Sequence, residues 1–187
     1  EEGQQRRDSE GLLAFAFAGA PAHERQRGQA GPGPPGMNQA FEAQLISLVC
    51  EGVFSEIPET KVTLIEGGFA WLPAVMWRLD KNYKGLRSEV PWLERRPSEY
   101  ILEHVRATTQ PMEEPENPQH LLQLLDMIGD DRFLMFATDY PHWDFDSPFA
   151  AFPKVSQELG ERIFWRNAQE LYGLDNQAPE IEEQRNG

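Results

Sequence analysis

At 187 residues, with 40% hydrophobic and 26% charged residues, the chain has the composition of a soluble globular protein holding one domain with a real core. A net charge of −14 excludes nucleic acid and anionic membrane surfaces as partners, since both would repel it, and points to a small-molecule substrate or another protein. The single cysteine, Cys50, cannot form an internal disulfide, so the chain is read as cytoplasmic.

Residues 1–37 read as a low-complexity, disordered leader that ends in Gly, Pro and Gln and has little to bury. Within it LLAFAFAGA, residues 12–20, is as apolar as a secretory signal core. The preceding EEGQQRRDSEG carries four acids against two arginines, however, and a signal peptide needs a positive start. No apolar run approaches the roughly 20 residues of a membrane-spanning helix.

From Asn38 the pattern becomes regular. Phe41, Leu45, Leu48, Val49 and Val53 recur at helical spacing, and this helix is predicted to stop near Ile57 and Pro58. VTLI, residues 62–65, reads as a short buried strand running into Gly67 and Gly68. A second helix follows with Leu72, Met76, Leu79, Tyr83 and Leu86 on one side. SEYILEHV after Pro97 reads as a short helix, and VRATTQ before Pro111 as a strand. Asn117 and Pro118 suit the N-cap and first turn of a helix that Gly129 stops, and FLMFAT, residues 133–138, reads as a fully buried strand. ELGERIFWRNAQELY is predicted as one last helix closing on Gly173, with residues 175–187 a polar tail.

Helices and strands that alternate in this way imply α/β units on a parallel sheet, in which ligands gather at the carboxyl ends of the strands. Three such ends can be located: Glu66-Gly67-Gly68, Thr108 to Pro111, and Thr138 to Asp144. Asp139 would project from the end of FLMFAT, where a carboxylate serves as metal ligand or proton acceptor; as a turn residue before Tyr-Pro it would do neither. Glu66 ends VTLI before two glycines that let a ligand approach the backbone; it suits a ligand or acid, a helix cap, or a partner for Arg106. His142 shares the loop of Asp139 and could bind metal, move protons or tie the loop together. The acidic run Glu113 to Glu116 is read as a solvated loop, and the chain holds no His-x-His pair, phosphate loop or cysteine cluster.

Four segments in order, LIEGGFAWLPAVMWRLD, EYILEHVRATTQPMEEP, LMFATDYPHWDFDSP and RNAQELYGL, resemble the carboxyl-terminal part of the amidohydrolase-related TIM-barrel family, which includes aminocarboxymuconate-semialdehyde decarboxylase. The resemblance runs from about Gln39 to Leu174. It implies that residues 38–174 form the sixth, seventh and eighth strands of a (β/α)8 barrel with their helices. It also implies metal-dependent hydrolysis or decarboxylation of a small carbonyl or carboxylate substrate. Asp139 would be a metal ligand and part of the acid/base machinery around a divalent ion, expected to be zinc. Glu66 stands where many members have a histidine, so this chain departs from that pattern, and the histidine ligands after the first and fifth strands have no counterpart. A complete barrel takes about 250 residues. The expectation is therefore an incomplete barrel with an open edge beside VTLI, either short of metal ligands or surviving as a non-catalytic fragment. Such a fragment would pair its sheet edge with a second copy or a complementary barrel part.

Overall fold

The computed structural model describes residues 12–16, 37–110, 112–141, 147 and 152–174. Four parallel strands form one sheet in the order β1-β2-β3-β4: β1 (Leu12–Ala16), β2 (Lys61–Ile65), β3 (Val105–Thr108) and β4 (Leu134–Met135). The helices are α1 (Met37–Cys50), α2 (Val53–Glu56), α3 (Leu72–Leu86), α4 (Pro97–His104), α5 (Gln119–Ile128), α6 (Gln157–Glu161) and α7 (Asn167–Tyr172). Strand order follows chain order without reversal, as in α/β barrels; doubly wound sheets reverse direction at a switch point. None of the helices among the described residues is long and apolar enough to cross a membrane.

The largest departure from the sequence reading is β1. Leu12–Ala16 was assigned to a leader without a strand, yet it pairs with the whole of β2, from Leu12 opposite Lys61 to Ala16 opposite Ile65. The open edge expected beside VTLI is thus occupied. Parallel pairing needs a partner far along the chain, so a five-residue apolar segment in a Gly- and Pro-rich context shows no local sign of it. β4 is also shorter than the six-residue run FLMFAT, although backbone bonds from Ala107 to Phe133 and from Thr109 to Met135, both 2.9 Å, carry its pairing with β3.

The two faces of the sheet differ in chemistry. Val62, Leu64, Val105, Ala107 and Leu134 point to the helices and join Phe41, Leu45, Phe69, Leu72, Ile101 and Ile163 in the core. Register places Thr63 beside Arg106 and Thr108 beside Met135, so these four share the opposite face, and all are buried. The periodicities read from the sequence hold: Phe41, Leu45 and Val49 are buried on α1, and Leu72, Met76, Leu79 and Tyr83 on α3. Leu86, assigned to the same side, is 54% exposed because α3 ends there.

The last helix is interrupted. Between α6 and α7 the wide turn Arg162–Arg166 replaces regular α-helix, and the Ile163 carbonyl accepts the Phe136 N–H at 2.8 Å. Asn167 then donates from Nδ2 to the carbonyls of Asp131 (2.6 Å) and Leu134 (2.9 Å). The last helical segment among the described residues is therefore bound to the strand that leads to Asp139.

Candidate active site at the carboxyl ends of the strands

β2 ends at Ile65 and β4 at Met135, so Glu66 lies directly past one strand and Asp139 four residues past the other. Both are half-buried and both hold left-handed backbone, with φ of 62° at Glu66 and 56° at Asp139. Among the described residues they are the only non-glycine positions with positive φ. An L side chain in that region costs roughly 1–2 kcal/mol, and such strain collects where a side chain must be aimed. Neither Gly nor Asn, the usual occupants, stands at these positions.

The end of β3 holds the two turns. The Thr108 hydroxyl accepts the Glu66 N–H at 3.3 Å and lies 3.5 Å from the Leu64 carbonyl and 3.3 Å from that of Gln110. Thr109 makes a reciprocal pair with Ala137: its hydroxyl donates to the Ala137 carbonyl at 3.2 Å and accepts the Ala137 N–H at 3.0 Å. Thr108, Thr109 and Gln110 are all buried. Two consecutive threonines thus tie the turn bearing Glu66 to one side of β3 and the segment leading to Asp139 to the other. After Asp139 the Thr138 hydroxyl accepts the Tyr140 N–H at 3.3 Å, and Tyr140 is exposed.

The Gly-Gly turn has further supports. Trp71 Nε1 donates to the Gly67 carbonyl at 3.0 Å, and a Cβ at Gly67 would stand 2.9 Å from the Phe41 ring. The carboxylate of Glu113, from the loop after β3, accepts the N–H groups of Phe69 (Oε2, 3.4 Å) and Ala70 (Oε1, 3.3 Å). The sequence reading placed Glu113 in a solvated acidic loop. Its role was invisible there because it depends on a contact 44 residues away.

Arg106, weighed as a partner for Glu66, lies toward the other end of β3. Its Nη1 donates to the carbonyls of Leu102 (3.0 Å) and Val105 (2.7 Å), and burial lowers its pKa from the ordinary value while Asp130 opposes that shift. His142 lies outside the described residues. Of the remaining histidines, His104 is fully buried: it stacks on Phe54 at 4.7 Å between ring centroids and bonds the Thr60 carbonyl through Nδ1 at 2.8 Å. That carbonyl can only accept, so Nδ1 carries the proton, and the ring is a structural part of the core at the amino ends of β2 and β3, away from their carboxyl ends.

The sequence profile of the amidohydrolase family matches residues 12–174, a span that runs from β1 through the last helix. The chain belongs to the amidohydrolase family. No curated protein matches it. Among solved structures it is similar to a dihydroxybenzoic acid decarboxylase from Polaromonas sp., which contains manganese and 2-nitroresorcinol. Identity is 23%, the match covers 92% of this chain and 52% of that one, and the TM-score is 0.64. It is also similar to 5-carboxyvanillate decarboxylase from Sphingomonas paucimobilis, with 20% identity, 90% and 51% coverage and a TM-score of 0.64. A third is an amidohydrolase from Mycobacterium avium subsp. paratuberculosis, with 24% identity, 73% and 34% coverage and a TM-score of 0.61. The chain thus spans between about a third and a half of these relatives' lengths. The family expected from the four sequence segments is the family found.

The metal is a separate matter. The metal in the Polaromonas structure is manganese, so the zinc expected from the sequence finds no support in it. Among the described residues no three His, Cys, Asp or Glu side chains converge to hold an ion. Glu66 and Asp139 would supply two carboxylates, short of the three protein ligands of a typical catalytic zinc site. These residues do not by themselves fit a metal centre.

Proposed function

We propose that the four strands are the fifth to eighth of a (β/α)8 barrel and that their carboxyl ends form part of the active site of a hydrolase or decarboxylase. Its substrate would be a small carbonyl or carboxylate compound. Asp139 is the acid/base residue in this reading. In hydrolysis its carboxylate takes a proton from the attacking water; in decarboxylation its protonated form returns a proton to the carbon that loses carbon dioxide. Glu66, whose backbone N–H is bound by the Thr108 hydroxyl, is the second acid/base group in this reading, and His142, three residues past Asp139 in sequence, is a third candidate. Both carboxylates remain oxygen donors for a divalent ion, which would need further ligands from outside the described residues. A cytoplasmic enzyme without disulfides fits the lone Cys50.

The observation that carries this reading is the pair of left-handed carboxylate residues, Glu66 and Asp139, at the ends of strands that flank β3. General acid/base catalysis is worth about 10²–10⁴-fold. Turnover of 2,6-dihydroxybenzoate, 5-carboxyvanillate and a panel of esters and lactones, with and without added manganese, should therefore fall by about that factor in Asp139→Asn. Unchanged turnover in the variant removes Asp139 from the chemistry.

A second reading has its own support. β1 and β4 are the two edges of the sheet, and among the described residues neither has a strand on its outer side. Exposed edges pair readily, so the alternative is a non-catalytic barrel part that associates through them with a second copy or a complementary segment. Light scattering after size exclusion separates the two, since this alternative requires a species heavier than one chain.

A further inference from the structure

We propose that Glu113 is a positioning residue for Glu66. It acts as a latch from the loop after β3 that fixes the Gly-Gly turn on which Glu66 is carried. The proposal deepens the acid/base reading of the strand mouth and rests on it for its functional meaning, while the latch itself can be tested without turnover.

Four features converge on this carboxylate. Glu113 Oε2 and Oε1 accept two successive backbone N–H groups, of Phe69 and Ala70, which lie just before α3. An anion is favoured there, because these groups have no partner within the helix and the helix dipole places positive charge at the same end. Gly68 sits at φ 60°, and a Cβ built on it would stand 2.5 Å from Glu113 Oε1. Glycine at 68 is thus required both for the left-handed turn and for the carboxylate to reach the amides. Finally, Glu66 is itself left-handed and only three residues from Phe69, so the direction of its side chain depends on where the turn is held.

The latch also completes a set of hydrogen bonds that joins two strand ends. Thr108 holds the amide of Glu66 from the near side of the turn, and Glu113 holds the amides of Phe69 and Ala70 from the far side. Both come from β3 and the loop that follows it. That same strand end binds Ala137, on the way to Asp139, through Thr109. One segment, Thr108 to Glu113, therefore sets the position of both carboxylates, and Glu113 is its only charged group. Its neighbour Glu114 is exposed and supplies a control.

Residue-resolved amide hydrogen exchange on the whole chain tests the latch. Glu113→Ala is expected to speed exchange at Phe69 and Ala70 by about tenfold or more, as follows from losing a charge-assisted hydrogen bond worth about 1.5–3 kcal/mol. Exchange in β2 and β3 should be unchanged, which shows that the variant folds. Glu113→Gln, which keeps a carbonyl acceptor, should restore much of the protection, and Glu114→Ala should have no effect. Gly68→Ala, which expels the carboxylate, should reproduce the Glu113→Ala pattern, and the double variant should add little to either. The carboxyl 13C resonance of Glu66 reports positioning: it should shift in Glu113→Ala, return in Glu113→Gln and stay fixed in Glu114→Ala.

Equal exchange at Phe69 and Ala70 in wild type and Glu113→Ala overturns the latch. Lost protection with an unmoved Glu66 resonance overturns the positioning role. Absence of turnover in the wild-type chain would count against the enzymatic reading and leave both of these results standing.

Discussion

Asn167 offers a direct test of how the last helix supports the strand bearing Asp139. Its side chain is 2% exposed, and its Nδ2 donates two hydrogen bonds, to the carbonyls of Asp131 and Leu134 on either side of Phe133. Its Oδ1 is buried without a hydrogen-bond partner among the described residues, so the side chain acts through its donors. Removing them in Asn167→Ala costs two bonds of about 0.5–1.5 kcal/mol each, or about 1–3 kcal/mol. Asn167→Asp keeps the shape but turns a carboxylate toward two carbonyl oxygens in a buried site, which raises the loss to about 3 kcal/mol or more. Against a total stability of about 5–15 kcal/mol that is a large fraction. In a chain of this size it corresponds to a fall in Tm of roughly 6–12 °C. Urea denaturation at pH 7 reads both variants on one scale. The penalty in Asn167→Asp should shrink toward acid pH as the new carboxyl protonates. If the aspartate variant is as stable as wild type, or loses less than the alanine variant, the two-donor account of Asn167 is wrong.

His104 makes a pH prediction. Burial lowers its pKa from the ordinary value, with the Thr60 hydrogen bond opposing the shift. The unfolded chain then binds a proton that the native state refuses, so stability falls as pH drops below about 6.5 and levels off below the folded pKa. His104→Gln should remove that part of the pH dependence. Glu103 and Asp130, whose carboxyls are held below their ordinary values beside Arg95 and Arg132, lose their contributions only at lower pH. Glu66→Gly and Glu66→Ala lose the same side-chain interactions, but only glycine relieves the left-handed strain of roughly 1–2 kcal/mol, so the glycine variant should be the more stable of the two. Both should abolish whatever turnover Glu66 supports, and an alanine variant more stable than the glycine one in chemical denaturation would refute the strain argument. Deleting residues 1–16 removes β1 and bares the edge of β2, whose strand is buried in the full chain; light scattering should then show more self-association or aggregation than the full chain shows at the same concentration.

The candidate site was partly legible because its position follows from a rule of architecture. A buried apolar run followed by a first charge marks a strand end, and this picked out Glu66 after VTLI and Asp139 after FLMFAT. Their left-handed backbone was not legible, since neither is a residue type that favours that conformation strongly enough to signal it. Thr108 and Thr109 lay in a segment already marked as a strand end, but their hydroxyls could have faced anywhere. Glu113 was misread altogether: in a run of Glu-Glu-Pro-Glu one acid looks like the next, and only the approach of the turn at Gly68 distinguishes it.

By itself the sequence determined the helical stripes on α1 and α3, the buried runs of β2 and β3, the stops at Gly129 and Gly173, and the family. All but the family depend on spacing within a short window, where helical and strand periods leave a readable trace, and the family rests on the resemblance of four ordered segments. Tertiary structure alone decided that Leu12–Ala16 is a strand, that the last helix opens at Arg162–Arg166 to bind β4, and that Glu113 caps the turn of Glu66. These three depend on partners tens of residues away along the chain, and a parallel ladder, a freed carbonyl or a capped amide exists only once the sheet has brought those partners together.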